Sequence, residues 1–283
     1  MLFRSAVNGK SFNAAEQRQE AANRAKKLSI QGVQPKLSAV ISVVNKQFEI
    51  VDQFGNYTIK PQNEIFPELP ENEDVTMKMA KVYGLDVPLH GLIYSKDGSL
   101  SYFIKRFDRY SKGKKYATED FAQLTGNSRD TKYNYTMEKL VKVIDEYCTF
   151  PAIEKANFFK RVLFCFITGN EDMHLKFFSV ISKAGKTTLT PVYDFLNSSI
   201  SIKNPQEELA LSLKGKKSNF KSTELIEYYA KERLGLNDKT VTTILSDMNK
   251  SLSKWTELVE VSFLSDTMKE KYLNVLDNRI SRF

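Results

Sequence analysis

The residues best suited to chemistry lie in one run, Gly169-Asn170-Glu171-Asp172-Met173-His174-Leu175-Lys176-Phe177-Phe178. Phosphoryl transfer asks for few protein groups: a loop over the phosphates, a lysine, a base and metal ligands. The base is an aspartate in a loop between an apolar helix and a strand, and Asp172 has that setting. Lys176 is placed to steady a transferring phosphate. A second metal-binding residue stands five positions past such a base, and here that position is Phe177. Further on, Thr190-Pro191-Val192-Tyr193-Asp194-Phe195 follows a short strand, and Asp194 suits a magnesium ligand. Upstream, Lys60 closes a strand where a phosphate-binding lysine would sit. The Ser29–Lys36 stretch has only Gly32 as a flexible residue and is a poor phosphate loop by pattern alone.

Each feature also has a plainer reading. An Asp-x-His pair in a loop is commonly a turn with a surface histidine, and Lys60 alone is a strand end. Zinc is a weak reading of His174, because His90 is the only other histidine and no cysteine lies at ligand spacing.

The elements that must position these residues are readable in outline. Asn13 to Lys27 has a strong helix composition and stops before Gly32 and Pro35. Leu37 to Val44 alternates with a strand period, followed by strands over Phe48 to Val51 and Tyr57 to Lys60. A helix is expected from Glu73 to Tyr83, ending at Gly84, then a hairpin around Asp97-Gly98. Thr118 is expected to cap a helix over Glu119 to Leu124. Thr136 to Tyr147 and Ala152 to Thr168 carry helical spacing, and two short strands flank Ala184-Gly185. From about Ser222 the chain reads as helical. A mostly β first third before a mostly α remainder describes a two-lobed α+β protein, divided at about residues 1–109 and 110–283.

Composition sets bounds. The chain has 283 residues, 41% hydrophobic and 27% charged, ordinary for a globular protein. No apolar run approaches the length of a membrane span, and the N-terminus shows no secretory signal, so a cytoplasmic location and no membrane contact are expected. Cys148 and Cys165 read as buried thiols. A net charge of +8 keeps open a basic nucleic-acid-binding protein as an alternative. The lysines, however, fall in short separate clusters with no zinc-finger spacing or RNA-binding aromatic motif, which favours solvated loops over direct nucleic-acid binding.

Five blocks in order resemble the HipA-like kinase family. Ser29-Ile30-Gln31-Gly32-Val33-Gln34-Pro35-Lys36 is similar to its Ser-x-x-Gly-x-Gln-x-Lys loop, and Phe103 to Arg109 to its hinge segment. Glu119-Asp120-Phe121-Ala122-Gln123 resembles the helix start that follows, and Gly169 to Lys176 and Pro191 to Asp194 its catalytic and metal loops. The resemblance implies a two-lobed protein-kinase-like fold, with a β-rich N-lobe and an α-helical C-lobe, lacking the N-terminal domain of long HipA proteins. It implies a toxin serine/threonine kinase that uses ATP and Mg²⁺ and acts on a protein hydroxyl, with aminoacyl-tRNA synthetases as family targets and translation as the process stopped.

By position, Asp172 would be the base and Lys176 its catalytic partner. ATP would be contacted by Gly32, Lys60, Lys105, Phe107, His174 and Asp194, with Asp194 as the metal ligand. Glu73 or Glu71 would pair with Lys60, and Ser29 matches an autophosphorylated serine that turns the enzyme off. Only 28 residues precede the Ser-x-x-Gly loop, which resembles the short HipT form; a small HipS-like antitoxin and a HipB-like DNA-binding protein would be its partners. Phe177 departs from the family pattern, since magnesium takes oxygen ligands. It leaves open a single metal on Asp194, a substitute oxygen such as Asn170, or a nucleotide-binding pseudokinase acting by association.

Overall fold

The computed structural model describes residues 35–128 and 130–283. The expected helix over 13–27, and the Ser29 and Gly32 positions, lie outside the described residues. The chain divides into two compact units. One runs to Asp74 and takes in Pro88–Lys115; the other holds Val75–Val87 and Tyr116–Phe283.

The first unit is built on five antiparallel strands: β1 Leu37–Ser42, β2 Gln47–Ile50, β3 Tyr57–Lys60, β4 His90–Tyr94 and β5 Leu100–Lys105. They lie in the order β2-β1-β3-β5-β4. The period of two explains which face is buried: Leu37 and Ala39, Tyr57 and Ile59 enter one apolar cluster with Phe48 and Ile93. Aromatic pairs tie its strands, Phe48 lying 5.2 Å from Tyr57 and 5.1 Å from Phe103. Gly55 is required where its loop crosses β1, because a Cβ there would stand 1.9 Å from Ser38 Oγ. The β4–β5 turn forms as the sequence predicts, with Asp97 Oδ1 accepting from the Ser99 backbone and hydroxyl. A small hairpin of β6 Arg109–Ser111 and β7 Lys114–Lys115 completes the unit, which therefore continues past Arg109 to Lys115.

Helix α1 spans Leu69–Val82, four residues longer at its start than expected. Pro70 sits in the first turn, where a missing N–H costs no hydrogen bond. Its C-terminus is closed by Gly84 at φ 79°. Gly84 N donates to Lys81 O and Leu85 N to Ala80 O, both at 3.0 Å, the two bonds of a Schellman cap.

The second unit contains a three-stranded antiparallel sheet, ordered β10-β9-β8, from β8 Ala117–Asp120, β9 Ser179–Lys183 and β10 Lys186–Leu189. Here the sequence reading is corrected: Thr118 and Glu119 belong to β8, paired with Ile181 and Val180. The cap of the short helix α2 Phe121–Leu124 is Asp120, which accepts from Gln123 N while its own N–H donates to the Gln123 side chain. This reciprocal capping box outcompetes a start at Thr118.

Helices α3 Met137–Tyr147, α4 Pro151–Ile167, α5 Ser198–Ser201, α6 Asp238–Glu260 and α7 Asp266–Ile280 follow, with a wide π-type turn over Glu224–Arg233 before α6. The second half of α4, Val162 to Ile167, is buried throughout, as a helix apolar on all sides must be. Phe164 stacks on Phe195 at 5.7 Å and meets Trp255 edge-on at 5.4 Å. Trp255 Nε1 donates to Met79 O, and Thr76 Oγ1 lies 2.8 Å from Tyr272 Oη. Cys148 and Cys165 are buried and unbridged. Among the described residues no helix is long and apolar enough to cross a membrane.

Candidate functional site

In the first unit, Lys60 is the last residue of β3 and only 2% exposed. A buried ammonium needs a partner, and Glu73 on α1 supplies both carboxylate oxygens at 2.5 and 2.7 Å. Glu71, the other candidate, instead accepts from Gln62 Nε2 at 2.7 and 2.9 Å. Lys105 ends β5 with its side chain exposed, and Phe107 follows half-buried. Between them Arg106 makes a bidentate pair with Asp108, at 3.1 and 2.9 Å, that stiffens this segment.

The second unit holds the acidic residues. Helix α4 ends on Gly169 at φ 70°, with Gly169 N donating to Phe166 O and Asn170 N to Cys165 O. This is again the cap that only a left-handed residue closes, and it launches Asn170 to Asp172 away from the helix axis. The turn is then tied to α5: Gly169 O accepts from Ser199 N and from the Ser198 and Ser199 hydroxyls, and Glu171 N donates to Ser198 Oγ. Asn170, 2% exposed, accepts from Asp172 N at 3.3 Å, while its Nδ2 has no hydrogen-bond partner among the described residues.

Asp172 itself is half-buried. Burial raises the pKa of its carboxyl above the ordinary value, and the like charge of Asp194 adds to that. A hydrogen bond from Tyr133 Oη and the nearby Lys132 oppose the shift. His174 is 3% exposed, and its pKa is pushed down to about 3 by burial, with Lys132 adding to the effect. It is therefore neutral, and its Nδ1 accepts from Lys176 N at 3.3 Å as the cap of a 3₁₀ turn over Leu175–Phe177. Lys176 Nζ pairs with Asp120 Oδ2 at 3.2 Å. Phe177 stacks on the His174 ring at 4.3 Å and 19°.

Asp194 takes φ 57°, a left-handed conformation that costs a non-glycine residue on the order of 1–3 kcal/mol. Its neighbours enforce it. Arg161 Nη2 donates to Thr190 O, Val192 N to Asp86 O, and Tyr193 Oη to Lys176 O while lying 2.5 Å from Ser179 Oγ.

Mg²⁺ is commonly held by one or two carboxylates together with substrate phosphates. Asp194 fits that description, and the like charge of Asp172 near it adds to the negative potential that favours a cation there. Phe177 adds no oxygen, and among the described residues no group of three or more His, Cys, Asp and Glu is placed to hold a metal without phosphates. Sequence reasoning missed Tyr133, which lies in a polar loop with no motif around it; a register for that loop against Asp172 was the signal lacking.

A sheet unit bearing a buried lysine–glutamate pair, and a helical unit bearing Asp172 and Asp194 on successive loops, define a protein-kinase-like α+β protein. Two solved structures share the fold. One is Shewanella oneidensis HipA in its complex with HipB and operator DNA, at TM-score 0.75 and 21% identity, covering 96% of this chain and 71% of that one. The other is the Helicobacter pylori proinflammatory kinase CtkA, at TM-score 0.59 and 18% identity, covering 80% and 87%.

The chain belongs to the HipA-like C-terminal domain family, which matches residues 28–255. A Haemophilus influenzae protein named "Putative kinase" is 35% identical over 186 residues, covering 60% of this chain and 52% of that protein. The serine/threonine-protein kinase toxin HipA of Shewanella oneidensis is 29% identical over 191 residues, covering 60% and 43%. The chain thus spans about half the length of these curated relatives or less.

Proposed function

We propose that this protein is an ATP-dependent serine/threonine protein kinase. The observation that carries the reading is the buried bidentate pair between Lys60 on β3 and Glu73 on α1, because protein kinases need that strand lysine and helix glutamate joined to hold the nucleotide phosphates. In this reading Lys60 contacts the phosphates, Lys105 and Phe107 the nucleoside, and Asp172 accepts the proton of the acceptor hydroxyl. Lys176, oriented by Asp120, steadies the transferring group. His174 shapes the loop beside the nucleotide as a neutral cap. Asp194 holds Mg²⁺, which when bound neutralises charge on the phosphates.

The reading extends to a toxin whose acceptor is a protein, with an aminoacyl-tRNA synthetase as the proposed target and HipB-like and HipS-like chains as partners. It is supported by the family membership, by the name of the Shewanella toxin and by the assembly in which the HipA structure was solved. Ser29, in the same Ser-x-x-Gly motif as Gly32, is the proposed autophosphorylation site.

Phe177 favours one competing reading, a pseudokinase that binds nucleotide without transferring phosphate, since its ring rather than an oxygen stacks beside His174. Intact mass of phosphatase-treated protein before and after Mg-ATP separates the two, with Asp172→Asn in parallel. A new phosphate that requires Asp172 supports the kinase. A thermal shift with ATP but no added mass, with or without partner chains, would establish the pseudokinase.

A further inference from the structure

Tyr133 belongs to none of the sequence motifs, yet it makes direct contact with the proposed base. It reaches Asp172 from the loop between α2 and α3, and that loop is tied to the catalytic turn independently. Lys132 O accepts from Leu175 N at 3.3 Å, and the Tyr133 ring meets His174 edge-on at 4.9 Å and 90°. Two lysines bear on the same ring, Lys132 Nζ at 5.0 Å and Lys217 Nζ at 5.8 Å from its centroid; Lys217 is itself held by Glu207 at 3.2 Å. The phenol donates to Asp172 Oδ1.

The geometry points to Tyr133 as a positioning residue for phosphate transfer: by occupying Oδ1 it fixes the carboxylate plane and leaves Oδ2 to take the acceptor proton. The inference rests on the kinase reading above. In the step it serves, the acceptor O–H bond breaks and the proton passes to Asp172 Oδ2. The acceptor oxygen then bonds to the γ-phosphorus as the bond from phosphorus to the ADP oxygen breaks, and Asp172 later returns the proton to water. Burial and the carboxylate hold the pKa of the Tyr133 phenol above its ordinary value, so it stays protonated and donates throughout the neutral range. Lys132 and Lys217 over the ring and the perpendicular contact with His174 restrain the ring, which favours one direction for the hydroxyl.

Tyr133→Phe removes only the hydroxyl and keeps the ring on His174. The expected result is a fall in kcat of about tenfold, the value of one hydrogen bond to a charged group, with KM for ATP unchanged. The acid limb of kcat should also move to higher pH, because the bond that favours ionised Asp172 is gone. A ¹³C titration of the Asp172 carboxyl, assigned with Asp172→Asn, should show the same upward move without reference to turnover. A variant matching the wild type in kcat, acid limb and titration overturns the inference, as does one with raised kcat and lowered KM for the acceptor, which would make Tyr133 a plug. Wild-type protein that transfers no phosphate would refute the kinase reading instead, and the titration would still decide the Tyr133–Asp172 contact.

Discussion

Lys60 donates to both carboxylate oxygens of Glu73, and neither side chain reaches solvent. Both ions are out of water and each bears on the other, so removing one takes a buried charge partner from the other. Lys60→Met is expected to lower unfolding stability by about 3 kcal/mol, read by urea denaturation. Lys60→Met with Glu73→Leu should recover most of that loss, since an apolar pair has no buried charge, yet neither protein should show a thermal shift with ATP. A single variant as stable as the wild type would contradict the buried pair.

Gly169→Ala tests the turn that launches the acidic loop. The backbone is left-handed there, and a Cβ would stand 2.7 Å from both Asn197 Oδ1 and Val275 Cγ1. Strain alone is worth about 1–3 kcal/mol, so a lower Tm is expected, together with loss of phosphate transfer greater than the instability explains.

Asp172→Asn should separate stability from activity. A carboxyl whose pKa is raised by burial is destabilising once ionised, so the amide is expected to leave Tm equal or higher. Phosphate transfer should fall about 10²- to 10⁴-fold, the usual contribution of a general base. A mutant that transfers at the wild-type rate removes Asp172 from the mechanism.

Phe177→Asn supplies an oxygen where the ring now stacks on His174. The expected outcome is a lower Mg²⁺ concentration for half-maximal transfer, at a cost of about 1–2 kcal/mol for the lost apolar contact. An unchanged Mg²⁺ dependence would mean that this position does not face the metal.

Glu171 sets a pH dependence. Its pKa is pushed up to about 7, chiefly by burial, which a backbone hydrogen bond from Glu207 and the charge of Arg279 only partly offset. Between its ordinary value and about 7 the unfolded chain releases this proton while the folded chain keeps it, so stability falls as pH rises through that window. Glu171→Gln should flatten the fall by about 2 kcal/mol, measured by denaturation at pH 5 and pH 7.5. An identical slope in the mutant would rule out Glu171 as its source.

Local chemistry made much of this architecture readable. The alternation around Leu37 to Ala39, the Asp97-Gly98 turn and the glycine after α1 each specify their structure within a few residues. The helix start at Leu69 was hidden by prolines, which serve a loop and a first turn equally well. Asp120 was hidden because Thr118 offers a cap too, and only pairing of β8 with β9, some sixty residues on, rules it out. Glu71 and Glu73 stand two apart on a helix and so point different ways; which one meets Lys60 depends on how the helix is rotated, a property no local pattern carries. The hydroxyl of Tyr133 meets Asp172 across thirty-nine positions for the same reason.

Trp255 is the only tryptophan in the chain, fully buried against Tyr83 and Phe164 with its N–H on Met79 O. The protein therefore carries one intrinsic fluorophore, confined to the helical unit. At excitation wavelengths that spare tyrosine, its emission reports directly on the packing of that core, and the sheet unit contributes no tryptophan signal of its own.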